Sequence, residues 1–213
     1  IKEKKDEEEA DKVHIKYDGL PVLPGTSLKG AVRARCEKII NTFVDIQNSI
    51  LTEKINNLLN NLFGFADDTG RTKQKQKSRL IVEESLIKGA EESEQTRIKI
   101  DRFTGGVIEG ALVKSIPVWH KNEEIEICLK IKDAKEYEIG LILLVLKDLW
   151  NEDLPVGGEK SIGRGLLKGK SAKFRYGLKE YSITQKDDRL MVEGNKDELE
   201  SFVKEFLKEI GVQ

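Results

Sequence analysis

Apolar residues recur at helical spacing over Leu28, Val32, Cys36, Ile39, Ile40 and Phe43, which predicts a helix, with Thr26 or Ser27 placed to cap its first turn. A second helix is expected from Ile50, Leu51, Ile55, Leu58, Leu59 and Leu62, stopping at Phe63-Gly64. Ahead of them, Val13, Ile15 and Tyr17 alternate as in a short strand, and Asp18-Gly19 marks a tight turn. Leu80-Ile81-Val82 reads as a short strand, and residues 88–106 as a long polar excursion. Val107 to Trp119 and Glu124 to Ile131 then read as the two strands of a hairpin, the second alternating Ile125, Ile127, Leu129 and Ile131 with polar neighbours. Residues 136–150 are apolar all round, which predicts a helix sandwiched in the core. A glycine-rich loop at 157–165 leads to a basic strand from Leu166 to Tyr176. The tail holds a hairpin, Tyr181 to Thr184 with Arg189 to Val192, and an amphipathic helix opened by Asn195 and Glu198 as a capping box.

Helix, strand, excursion, strands, helix, strand lacks only a leading strand to become β-α-β-β-α-β, the α+β ferredoxin-like plan. That first strand is expected to be missing, lying upstream of Ile1 or coming from a neighbouring segment. Residues 1–176 read as one domain with an insertion at about 88–106, and 177–213 as a C-terminal extension made of the hairpin and the helix. The 213 residues suffice for one ordinary core.

Composition narrows the class. A charged fraction of 35% beside 38% hydrophobic residues is that of a globular chain with an ionic surface, and no apolar run is long enough to span a bilayer. Cys36 and Cys128 lie far from any paired Cys or His spacing, so neither zinc nor a disulfide framework is supported, and a reducing, cytoplasmic setting is the default expectation. Net charge is −1, which argues against an indiscriminate polyanion binder, yet the distribution is uneven. Arg71 to Arg79 carries five basic residues and no acid, and Gly157 to Gly177 carries six against the single acid Glu159. Solvated charge runs are the plain alternative for both stretches.

Two constellations carry chemistry. Leu20-Pro-Val-Leu-Pro-Gly-Thr-Ser-Leu-Lys-Gly30 followed by Arg33 is an extended approach, a sharp stop, and a helix start with Lys29 and Arg33 one turn apart, a geometry suited to phosphate. Gly157-Gly-Glu-Lys-Ser-Ile-Gly-Arg-Gly165, with Lys168 and Lys170 beyond, lets backbone approach an anion closely. It is neither a dinucleotide fingerprint nor a Walker loop, because it joins a helix to a strand and lacks the required spacing. Lys160, Ser161, Gly163 and Arg164 within it, and Lys168 and Lys170 after it, are the candidate phosphate-binding residues along with Lys29 and Arg33.

Together, Asp18-Gly19-Leu20-Pro21 through Lys29-Gly30 with Arg33, and the loop Gly157 to Gly165, resemble the signatures of the RAMP superfamily, the repeat-associated proteins of CRISPR effector complexes. Ile100-Asp101-Arg102-Phe103-Thr104-Gly105-Gly106 ahead of Gly110-Ala111-Leu112 is similar to the excursion and return of type III backbone subunits. The resemblance covers roughly residues 11–176. It implies an RRM-like fold with a long thumb-like hairpin carrying Asp101, Arg102 and Phe103. It implies as partners a CRISPR guide RNA, target RNA, other effector subunits and copies of the same chain, with no membrane. In such subunits an aspartate before the first helix supports metal-dependent cleavage of target RNA, which makes Asp11 the candidate catalytic and metal-binding residue and Mg²⁺ the expected cofactor if the chain cleaves. The lead-in Glu7-Glu8-Glu9-Ala10 departs from the usual small, glycine-containing one. His14 is the alternative, as general base in metal-free RNA cleavage of the related guide-processing nucleases. His120, the other histidine, reads as a turn residue. A stand-alone guide-processing endoribonuclease and a non-catalytic ferredoxin-like scaffold are the competing functions.

Overall fold

The computed structural model describes residues 10–44, 49–67, 74–119, 124–187 and 189–212. Glu7 to Glu9, Arg71, Lys73 and His120 lie outside them. The chain is mixed α+β, with four helices and several small sheets among the described residues. It divides into two compact units, one from Ile1–Pro24 and Glu84–Cys128, the other from Gly25–Glu83 and Leu129–Gln213.

The first unit is built of β-structure. Asp18 and Gly19, at φ of 48° and 76°, form the two-residue turn of a hairpin between Lys16–Tyr17 and Leu20–Leu23. Both signs suit the primed turn that an Asp-Gly pair favours. Val22 and Leu23 pair in turn with Leu86 and Ser85. The expected single strand over Val13 to Tyr17 is thus two short ones, because Lys12–Val13 runs instead parallel to Val113–Ile116. The segment expected as a polar excursion is one arm of an antiparallel ribbon. Gln95–Arg97 pairs with Val113–Ile116, and Glu91–Glu92 with Val118–Trp119, in one continuous register across Pro117.

That pairing overturns the expected hairpin between Val107–Trp119 and Glu124–Ile131. Only Leu129–Ile131 of the second segment is a strand, and its partner is Leu80–Val82 in the other unit's sheet. Alternation reports which residues are shielded on one face; it carries no information about the partner strand.

In the second unit the helices fall where their periodicity places them: α1 is Gly25–Phe43, α2 Ser49–Phe63, α3 Glu136–Trp150 and α4 Lys196–Glu209. Helix α1 starts one residue early, so Thr26 and Ser27 lie inside its first turn instead of capping it. At Gly25 a β-carbon would strike the Val82 carbonyl, so glycine lets the helix start abut the strand Leu80–Val82. Gly64, at φ 78°, ends α2 and leaves no room for a side chain against Gln76 and Ser78. Ser171–Tyr176, Lys179–Lys186 and Arg189–Glu193 form a three-stranded meander. Its inner residues Phe174, Tyr176, Tyr181, Ile183 and Val192 pack with Ile139 of α3 and with Leu199 and Phe202 of α4. Phe202 meets Tyr176 edge-on at 5.5 Å. Gly140 is the point where α3 touches the backbone of α4 at Phe202. Asn195 caps α4 by accepting from the Glu198 N–H at 3.3 Å, while the Glu198 carboxylate turns to Lys179 at 2.6 Å. Helix α1, Leu80–Val82, Leu129–Ile131, α3 and Ser171–Tyr176 follow the expected order. Among the described residues they do not join into one sheet, since Leu80–Val82 and Leu129–Ile131 form a two-stranded pair and Ser171–Tyr176 opens the meander.

Candidate nucleic-acid interface

The start of α1 has no acidic residue in its first turn. Lys29 Nζ donates to Ser78 Oγ at 2.6 Å, and burial, followed by the nearby Arg33 charge, lowers its pKa. The Ser78 hydroxyl also lies 2.7 Å from the Leu80 carbonyl and 3.0 Å from that of Leu62, so its single proton is spent on one of them. Arg33 donates to Glu37 at 3.1 Å and to the Gly64 carbonyl at 3.4 Å, and its guanidinium lies over the Phe63 ring at 5.9 Å. Two cations expected to meet phosphate therefore have internal partners. Among the described residues the partner of Lys29 is a hydroxyl, which leaves its charge unneutralised; that of Arg33 is shared with a carboxylate.

The glycine-rich loop stands on a closed base. After α3 the chain buries Leu154 and Val156. The Val156 N–H donates to the Gly165 carbonyl at 2.9 Å, and at Gly165, φ 78°, a β-carbon would run into the Val156 carbonyl. Between these ends Gly157 and Gly163 take φ of 90° and 82°, and Lys160–Ile162 makes one 3-10 turn. Arg164 pairs with Glu159. This ion pair is largely shielded from water, so Arg164 acts as a clamp within the loop. Lys160 and Ser161 stand exposed on the crown, and Lys168 and Lys170 on the exit.

Gly157, Gly158 and Gly163 face open space. Gly158 is the informative one: its φ is ordinary and nothing surrounds it, so neither conformation nor packing among the described residues requires glycine there. A loop of this shape admits a ligand to its backbone, with ammonium groups at crown and exit to meet an anion. The expected strand from Leu166 begins only at Ser171, because the intervening residues are held by α3's last turn: Gly169 N donates to the Trp150 carbonyl at 3.0 Å, and Lys168 bridges to Asn151. Beyond it Ser171, Lys173 and Arg175 project to solvent, and Arg175 bonds Glu180 at 2.7 Å.

In the first unit, Asp11 Oδ2 accepts from the Lys114 N–H at 2.8 Å, carrying the parallel pairing of Lys12 with Ser115 one step further through a side chain. His14 Nε2 lies 2.9 Å from the Val22 carbonyl, which makes it a donor and Nε2 the protonated nitrogen. At the ribbon's end the Asp101 carboxylate accepts from the N–H groups of Phe103 and Thr104 at 2.9 and 2.8 Å, and from the Thr104 hydroxyl at 3.1 Å. These bonds hold its pKa below the ordinary carboxylate value, the Thr104 N–H contributing most. The turn leaves Arg102 exposed and Phe103 wholly in solvent, at 99%. Among the described residues no three His, Cys, Asp or Glu side chains gather as a metal site, so Asp11 would bring a single carboxylate, one oxygen already engaged, to any Mg²⁺. No described helix is long and apolar enough to cross a membrane.

Sequence patterns do not mark Ser78, Trp150 or Gln185, which hold Lys29 and the loop exit. Ser78 is 49 positions from Lys29, and Gln185 is 35 from Trp150, so no local spacing could have revealed either pairing. No curated protein matches the chain. The family model of the RAMP superfamily matches residues 4–168, well over half of the chain, and the chain belongs to that superfamily.

Proposed function

We propose that this chain is a guide-RNA-binding backbone subunit of a type III CRISPR effector, holding RNA by its sugar-phosphate backbone. Membership of the RAMP superfamily carries a CRISPR-associated, RNA-binding role in general terms. One observation carries the finer reading: Gly157, Gly158 and Gly163 face open space beside Lys160, with Lys168 at the loop exit. Phosphate contacts of this kind position RNA without reading its sequence, and they release counterions. The order of α1, Leu80–Val82, Leu129–Ile131 and α3 serves in this reading as the body of an RRM-like fold. The ribbon serves as its thumb, presenting Arg102 and Phe103 to RNA or to a neighbouring copy.

The test uses Lys160→Gln with Lys168→Gln. Affinity for unrelated single-stranded RNAs should fall equally, and the slope of log K against log salt should flatten by about 0.7 for each phosphate that the chain no longer neutralises. Unchanged affinity at low salt overturns the reading. The assembled subunit should also co-purify with RNA of regular length and self-associate, whereas cutting of repeat RNA by the chain alone would favour the guide-processing nuclease.

Cleavage of a bound target strand is a second reading, resting on Asp11 at an exposed strand end. Its Mg²⁺ site would need further ligands from RNA phosphates, water or an adjacent subunit. Metal-dependent cutting by the assembled complex should vanish with Asp11→Ala while RNA binding stays within about twofold, since a carboxylate neutralises no phosphate. Cutting that survives the substitution overturns it.

A further inference from the structure

The exit of the glycine-rich loop is braced from the end of α3 and from the middle strand of the C-terminal meander. The Trp150 carbonyl accepts from Gly169 N at 3.0 Å, and Asn151 bridges to Lys168. Gly169 lies flat against the Trp150 indole, where any β-carbon would fall on the ring. The indole N–H in turn donates to Gln185 Oε1 at 2.8 Å, and the Gln185 backbone N–H donates to the Lys170 carbonyl at 3.1 Å. A closed circuit results: Trp150 to Gln185, Gln185 to Lys170, and Gly169 back to Trp150. Lys168 and Lys170 are the residues on either side of the glycine that the indole holds, and both are exposed.

The indole N–H is partly buried, and its acceptor comes from a residue 35 positions away in the chain. The circuit fixes the backbone of Lys168 and Lys170, and preorganised cations lose less freedom on meeting phosphate.

We propose that Trp150 and Gln185 are positioning residues for RNA: they hold Lys168 and Lys170 at the loop exit so that both lysines meet phosphates of one strand. This role rests on the RNA-binding function proposed for the loop. It also gives the meander, which lies beyond the residues matched by the superfamily, a part in that binding.

The test measures the affinity of the whole chain for a fluorescent oligouridine across a salt series, in two backgrounds. In the parent background, Trp150→Phe removes the indole donor and keeps a ring under Gly169, and Gln185→Leu removes the acceptor. Each should weaken binding about threefold to tenfold and lower the salt slope by about 0.7 to 1.4, equivalent to one or two neutralised phosphates. In a chain already carrying Lys168→Gln and Lys170→Gln, neither substitution should weaken binding further. A general loss of structure would weaken both backgrounds alike, and that result, or an unchanged slope in the parent, overturns the proposal. Because the two variants break the same bond from opposite sides, failure of one to fold leaves the other to decide. If Lys168→Gln with Lys170→Gln binds like the parent, the RNA reading of this loop itself falls. If that pair weakens binding while Trp150→Phe and Gln185→Leu do not, only the positioning role falls.

Discussion

Arg79 closes the basic run 71–79 in sequence but works as a structural tie. Its guanidinium donates to the carbonyls of Asn61 at the end of α2 and of Lys132 and Asp133 before α3, at 3.3, 3.3 and 2.8 Å, and it pairs with Glu138. Glu138 is 1% exposed, and its other carboxylate oxygen accepts the Lys135 N–H at 3.0 Å across the first turn of α3. Removing one partner of such a pair strands the other. Arg79→Ala should therefore cost about 3 to 5 kcal/mol, read by denaturant unfolding, well beyond the effect of an exposed lysine. A loss below about 1 kcal/mol would return Arg79 to the solvated charge run.

Asp101 offers a pH test at the same scale. Its folded pKa lies below the unfolded value, so the ionised carboxylate stabilises the tip turn at neutral pH, and that contribution is lost as pH falls through the lowered pKa. Protection of the Phe103 and Thr104 amides, taken relative to the intrinsic exchange rate at each pH, should persist into the acid range and fall only below the ordinary carboxylate pKa. Asp101→Asn should abolish the pH dependence of that protection. Protection lost already at the ordinary value would show that the hydrogen bonds to the carboxylate are not formed.

Helices were legible as elements because their periodicity is written within a dozen or so consecutive residues. Leu28 to Phe43, Ile50 to Leu62 and residues 136–150 each became the helix their spacing predicts. Pairing was not legible: Val113–Trp119 found its partner in Glu91–Arg97, inside the segment read as a polar excursion, since Glu91, Glu92, Gln95 and Arg97 have no apolar face to declare a strand. Two glycines test packing at this scale. Gly140→Ala would drive a methyl group into the Phe202 backbone, and α3 and α4 should part at a cost of about 1 to 3 kcal/mol, measured as a shift in denaturation midpoint. Gly64→Ala combines a positive φ with contacts to Gln76 and Ser78, and should be worse than the same change at Gly19, where φ is also positive but space is open. Equal effects would mean that backbone conformation alone matters at Gly64.

For the molecule as a whole, the chain builds two units by passing from the first to the second at Gly25, back at Glu84 and again at Leu129. The residues after Tyr176, separable in sequence as an extension, supply Tyr181, Leu199, Phe202 and Phe206 to the buried interior of the second unit. Ending the chain at Tyr176 should therefore abolish the cooperative unfolding of that unit, seen by circular dichroism; an unchanged melt would show that the meander and α4 are an appendage. Runs of neighbouring residues encode the helices, the Asp18-Gly19 turn, the glycine-rich loop with its basic residues, and the motifs that resemble the RAMP superfamily, because in each the side chains or backbone freedom act locally. Which cations face outward depends on contacts made in the folded chain. Arg33 and Arg164 pair with Glu37 and Glu159, Lys29 donates to the neutral Ser78 hydroxyl and keeps its charge, and Lys160 and Lys168 project to solvent. The fold alone showed that Trp150 and Gln185 brace the loop exit, since charge and glycine content are properties of a segment, whereas the partner of a charge depends on contacts that folding brings together from distant positions.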